Sequence, residues 1–147
     1  MWSEPAVVKH FGGEARPPDD VWMRLLRYGG LWALLGYGYW TIRETATGRF
    51  VGELGFADFH RVLSPGFDGA PEVGWTLSGW AQGRGMASEA VTAVLGWADA
   101  QGWKRTACMI VPANTTSLRL AGRHGYTPYA ETDFKGKPVI LLERLAS

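Results

Sequence analysis

The sequence predicts an α/β fold with a mixed β-sheet, and three observations predict it. Apolar residues alternate at period two in some segments and recur at spacings of three and four in others. Glycine and proline breaks separate those segments. The resulting order is α, β, β, β, α, β, α, β, β, which interleaves helices with strands instead of segregating them. With 147 residues and no internal repeat or linker, the expectation is one domain over residues 1–147 with a sizeable core.

Residues 1–18 read as irregular, with Gly12-Gly13 and Pro17-Pro18 as breakers. Asp19 or Asp20 then caps a helix whose apolar face is Val21, Trp22, Leu25 and Leu26. Gly36 stops it. Residues 37–44 alternate as a strand does, Thr45-Ala46-Thr47-Gly48 turns, and residues 49–59 form the partner strand of a hairpin. Residues 60–71 are a loop, and Glu72 to Leu77 is a third strand. A glycine-rich loop follows over 78–85. It leads into an amphipathic helix over 86–101, with Ala90, Val91, Val94, Leu95 and Ala98 on one side. Gly102 caps that helix, and 105–111 reads as a buried strand. A short helix spans 115–123 before Gly125, and strands at 126–134 and 137–144 flank the Lys135-Gly136 turn.

Composition removes several function classes. The net charge is +1, from 15 basic and 14 acidic residues, which leaves no electrostatic footprint for nucleic acid or an anionic membrane. No apolar run approaches the roughly 20 residues a spanning helix needs. Met1 to Lys9 lacks the order of a signal peptide. One cysteine, Cys108, cannot form an internal disulfide, so a reducing cytoplasm is the expected compartment. The three histidines (His10, His60 and His124) have no metal spacing, and no metal is expected. The 8 tryptophans are core by default, which leaves open which of them line a cleft.

The strand, glycine-rich loop and helix start around Gln82-Gly83-Arg84-Gly85-Met86-Ala87 make an anion site. The first amides of a helix lack intrahelical acceptors, and the dipole puts partial positive charge on them. Gly83 and Gly85 let the backbone approach a phosphate, Ala87 is small, and Arg84 adds a cation or points into solvent. The loop has no Gly-Lys-Ser/Thr ending, as nucleoside-triphosphate loops do. Ser88 stands where a dinucleotide fingerprint needs its third glycine.

Gln82-x-x-Gly85-x-Ala87 between a strand and a helix resembles the coenzyme-A motif of the GNAT acetyltransferases. The resemblance runs over nearly the whole chain from about Trp2. It is closest to the branch that acetylates ribosomal-protein N-termini, where the preceding strand reads like Glu72-Val73-Gly74-Trp75-Thr76-Leu77. Pro112, Asn114, Ser117, Gly125 and Tyr126 supply a second matching segment.

The resemblance implies a GNAT fold with acetyl-CoA held between parallel strands near 72–78 and 105–111. It implies pantetheine pairing near Leu77 and pyrophosphate contacts from Gln82, Gly83, Arg84, Gly85, Met86 and Ala87, reaching Ser88. Asn114 and Ser117 would approach the pantetheine and the thioester sulfur. The usual thiolate-protonating tyrosine falls at Ala121, so that acid is Ser117, a water or nothing. Family members also begin with an edge strand that this sequence lacks before Trp2, which would leave the strand at 37–44 exposed and favours a homodimer.

Acetyl transfer to an amine needs a neutral nitrogen, a polarised carbonyl and a stabilised leaving thiolate. The Leu77 N–H is a candidate for the carbonyl. Glu72, Ser117 and Asn114 are the catalytic candidates, with Glu72 as base. Glu72 also reads as a solvated strand-end carboxylate, Asn114 as an N-cap and Ser117 as a first-turn residue bonded locally. Glu53, Asp58 and His60 are candidate substrate contacts. Cys108 lies in an apolar strand and reads as inert. Two functions remain: an acetyl-CoA-dependent N-acetyltransferase acting on a primary amine of a protein N-terminus or small molecule, or a non-catalytic acyl-CoA-binding module.

Overall fold

The period-two segments form strands and the period-3.6 segments form helices. The computed structural model describes residues 1–147. In chain order the elements are α1 (Pro5–Val8), α2 (Pro18–Leu35), β1 (Tyr39–Arg43), β2 (Phe50–Ala57), β3 (Glu72–Leu77), α3 (Met86–Ala100), β4 (Arg105–Ile110), α4 (Thr115–Arg123), β5 (Thr127–Phe134) and β6 (Lys137–Leu145). A short 3₁₀ turn at Gly79–Ala81 precedes α3. The six strands make one mixed sheet in the order β1-β2-β3-β4-β6-β5, so β1 stands at an edge. No helix is long and apolar enough to cross a membrane.

Three local readings change. The irregular N-terminus contains the single turn α1. α2 begins at Pro18 with Pro17 as its N-cap, and Asp19 and Asp20 lie in its first turn, where they complement the dipole without capping it. The face of α2 is also offset from the expected one. Trp22, Leu25 and Leu26 are exposed at 60%, 54% and 50%, while Tyr28 and Leu31 are buried. The inward stripe carries Arg24 and Tyr28 because these two meet a carboxylate of β2, so the apolar pattern pointed to the wrong side.

Internal contacts group the chain into two units. The first comprises Met1–Ala57 and Gly74–Ala90. In it, β1 and β2 pair antiparallel, with Thr41 opposite Glu53. Val51, Leu77 and Ala81 form a core against which Ile42, Trp80, Met86 and Ala87 pack. Tyr39 of β1 stacks on Tyr28 of α2 with ring centroids 4.4 Å apart. Its hydroxyl lies 2.2 Å from where a Cβ would stand at Gly74, so a side chain there would have to displace the Tyr39 phenol.

The second unit comprises Asp58–Val73 and Val91–Ser147. Here Glu72 of β3 pairs in parallel with Ala107 of β4, and β6 pairs antiparallel with both β4 and β5. Val91, Leu95, Ala107, Leu120, Leu141 and Leu142 are buried. The Thr106 and Tyr126 hydroxyls satisfy each other at 2.6 Å in that interior. The 58–71 loop is tied down along its length. Thr132 Oγ1 donates to Ser64 O at 2.8 Å, the Tyr129 hydroxyl to Gly66 O at 2.8 Å, and Arg105 Nη1 to Phe67 O at 2.5 Å.

Candidate functional site

The glycine-rich loop has the shape its sequence requires. Gly83 and Gly85 have φ of 72° and 80°, the left-handed region that side chains disfavour. A Cβ built on either meets nothing within 4 Å, so the loop's outer side is open space. The bonding of α3 starts with the Glu89 N–H on Gly85 O at 3.1 Å. The amides of Gly85, Met86, Ala87 and Ser88 therefore precede the helical ladder, at its positive end.

Side chains fix this loop from behind. Gln82 Nε2 donates to Leu77 O at 3.1 Å, so the Gln82 side chain closes the turn instead of reaching outward, and the Leu77 carbonyl is occupied. Glu4 Oε2 accepts the Gly79 N–H at 2.7 Å, and Ser78 N–H donates to Val51 O at 2.8 Å. Arg84 Nη2 lies 3.3 Å from Glu44 Oε1 and remains half exposed.

Two residues beyond Val51 on β2 lies Glu53. The Tyr28 hydroxyl donates to its Oε1 at 2.6 Å, and Arg24 Nη1 donates to the Tyr28 oxygen at 2.9 Å. Arg24 itself stands 3.9 Å from Oε1, with its guanidinium 3.9 Å from the centroid of the Trp2 ring. The Trp2 indole also lies close enough to act on this carboxylate. Burial pushes the Glu53 carboxyl above its ordinary range, partly offset by Tyr28, Arg24 and the nearby Trp2 indole. That indole N–H is buried and faces the carboxylate beyond ordinary hydrogen-bond geometry.

Glu72 is held differently. Its Oε2 meets Arg61 Nε at 2.7 Å, and it is 7% exposed. Arg61 lies 4.9 Å and 5.0 Å from the ring centroids of Phe59 and Phe134. Burial raises the Glu72 carboxyl, with Arg61 pulling it down and Asp58 adding a smaller upward push. Asp58 Oδ1 accepts the His60 N–H at 2.9 Å and Oδ2 lies 3.5 Å from His60 Nε2, an exposed local turn.

Asn114 is the N-cap of α4, its Oδ1 accepting the Ser117 N–H at 3.1 Å. Ala121 is fully buried, so no phenol has room there. Cys108 is 2% exposed, and burial with the charge of Glu72 pushes its thiol well above the usual range. No group of three or more His, Cys, Asp or Glu side chains converges as a metal site would.

The model of the acetyltransferase (GNAT) domain matches residues 1–127. This chain belongs to the GNAT acetyltransferase family. A solved protein from Bordetella pertussis, described as a GnaT-family acetyltransferase, shares 33% identity over 96% of this chain and 93% of its own, with a TM-score of 0.82. Two more distant structures share the fold. The ribosomal-protein-S5-alanine acetyltransferase of Vibrio fischeri is 22% identical over 87% of this chain and 72% of its own, with a TM-score of 0.68. A Salmonella typhimurium acetyltransferase solved with acetyl-CoA is 21% identical over 90% and 76%, with a TM-score of 0.69. No curated protein matches.

GNAT enzymes use acetyl-CoA, and the loop fits a pyrophosphate. Its outer side is open where a Cβ would project, and the leading amides of α3 and Arg84 supply donors and charge. The functional-site residues that sequence reasoning passed over are the holders of the two carboxylates. Arg24 and Tyr28 sit one helical turn apart, a spacing that signals a shared face. Nothing in the sequence links Arg61 to Glu72.

Proposed function

We propose that this GNAT protein is an acetyl-CoA-dependent N-acetyltransferase acting on a primary amine within a ternary complex. The observation that carries this reading is Glu53, a largely buried carboxylate fixed at Oε1 by the neutral Tyr28 hydroxyl, on the strand that packs at the cradle. Bound acetyl-CoA supplies an activated acyl thioester. The chain's own residues bind and orient it, and they manage the proton of the amine. The amides from Gly85 to Ser88, with Arg84, would hold the pyrophosphate. By family resemblance, Asn114 and Ser117 would face the pantetheine and the sulfur.

Glu53 would take the proton of the amine nitrogen as that nitrogen bonds the acetyl carbon, the C–S bond breaks and the sulfur departs as the CoA thiolate. A carboxylate raised by burial is a stronger base than an exposed one, as proton abstraction near neutral pH requires. Tyr28 keeps it in one rotamer. Glu72 is the weaker base because a guanidinium touches it directly, and its role is to anchor the 58–71 loop through Arg61.

Because the Vibrio relative is described as a ribosomal-protein-S5-alanine acetyltransferase, an alanine amine is the first acceptor to test. Release of free CoA thiol is measured with an alanine-initiated peptide and with small alkyl and aryl amines. Turnover with any of them supports the transferase. The fully buried Ala121 favours the second reading, a non-catalytic acyl-CoA-binding module. Tight acetyl-CoA binding without thiol release across the whole panel selects that module.

A further inference from the structure

The turn between β1 and β2 brings a second cation to the cradle. The Arg49 guanidinium lies 3.9 Å from the centroid of the Trp80 ring. Arg84, within the cradle, lies 5.1 Å from the same centroid. Trp80 is itself fixed. Its indole N–H donates to Phe50 O at 3.1 Å, and it packs against the Val51, Leu77 and Ala81 core.

The two guanidiniums differ in what answers their charge. Arg84 faces Glu44 Oε1, and the other Glu44 oxygen accepts the Thr47 hydroxyl at 2.5 Å. Glu44 is the only carboxylate between Arg43 and Phe50. Arg49 is exposed and has no carboxylate within ion-pair distance. Arg43, whose Nη1 donates to Gly48 O at 3.0 Å, adds a further positive charge to the same turn. An unpaired surface arginine is ordinary. This one lies over an indole that it shares with a phosphate-loop residue. A cation–π contact engages the charge of a guanidinium without using its N–H donors, which stay available to a phosphate.

We propose that Arg49, oriented by Trp80, binds a phosphate monoester carried by the ligand in the cradle. The group that acetyl-CoA supplies is the 3′-phosphate on its adenosine. This inference rests on the acetyl-CoA reading and adds a second anion subsite, separate from the pyrophosphate amides. Its consequence is discrimination between acetyl-CoA and the same thioester lacking the 3′-phosphate.

Calorimetric titration of the full chain with acetyl-CoA and with acetyl-dephospho-CoA tests it. The wild type should bind acetyl-CoA about tenfold more tightly, the scale of one charge-assisted contact. Arg49→Ala should lose that factor for acetyl-CoA and leave acetyl-dephospho-CoA unchanged. Arg49→Lys should keep part of it, and excess inorganic phosphate should weaken only acetyl-CoA. Equal losses for both ligands in Arg49→Ala overturn the proposal and leave Arg49 a support of the turn. Equal wild-type affinities overturn it as well. A raised KM for an anionic acceptor with unchanged acetyl-CoA affinity assigns the site to the acceptor, and it too overturns the proposal. Wild-type binding of neither thioester removes the acetyl-CoA reading itself.

Discussion

Glu53 and Glu72 are two buried-side carboxylates on neighbouring strands of the sequence order, and the proposed division between base and anchor rests on the contrast between them. Burial raises both above the ordinary range. Both have one oxygen engaged. Glu53 leans on a neutral phenol, with the nearest guanidinium 3.9 Å away. Glu72 touches a guanidinium at 2.7 Å. A carboxylate in direct contact with a fixed cation yields basicity for position. One supported by a phenol keeps basicity and still has a defined rotamer. The comparison teaches that a raised carboxyl alone does not mark a base; the partner that shares its burial decides.

The largest expected effect breaks the comparison if it falls on the wrong residue. Glu53→Gln should lower kcat/KM for the amine about 100-fold, the scale of losing a general base, with acetyl-CoA affinity retained. Glu72→Gln should stay within about fivefold on the same scale. Reversed losses would hand the role of base to Glu72.

Next comes Arg61→Ala. It leaves a buried carboxylate without its cation and frees the loop, so unfolding free energy should fall by about 2 kcal/mol. Urea melts measure this, and the acidic limb of the rate profile should stay in place. A shift of that limb to higher pH would show Glu72 titrating in the reaction.

Tyr28→Phe has a smaller effect. Removing the hydroxyl withdraws a donor that lowers the Glu53 carboxyl. The folded-state value therefore rises, and the acidic limb of kcat/KM should move to higher pH, with a loss of about three- to tenfold below it. The charged and titratable groups facing Glu53 are Tyr28 and Arg24 of α2 and the Met1 amino group. A drop in stability without any movement of the limb would reduce Tyr28 to a packing role.

The smallest effect concerns stability. Because the folded Glu53 value is raised, its contribution is fully present below the unfolded value and is lost as pH rises through the folded one. Glu53→Gln does not titrate, so its Tm relative to wild type should increase across that window, on the order of 2–4 °C. A difference in Tm that is flat with pH would mean that Glu53 is not raised.

The legible parts of the molecule were the local ones. The conformation of the 82–87 loop was readable because Gly83, Gly85 and the first turn of α3 lie within a few residues of one another, and their backbone needs are set locally. The strands and helices were readable from period for the same reason. The α2 face was not, because its inward stripe serves Glu53 across 25 residues of sequence rather than a wholly apolar core. The Arg61–Glu72 and Arg49–Trp80 pairs were invisible as well. Each joins a turn or loop residue to a distant segment, and no periodicity records such a meeting.

The central claim is that the Gln82–Ala87 loop holds acetyl-CoA, and one measurement tests it most directly. Acetyl-CoA is titrated calorimetrically into the wild type and into Gly85→Asp, with circular dichroism confirming that both are folded. A carboxylate at the open side of the loop should abolish binding that the wild type shows, because it repels the pyrophosphate where the leading amides of α3 attract it. Equal affinity in the two folded proteins would contradict the account.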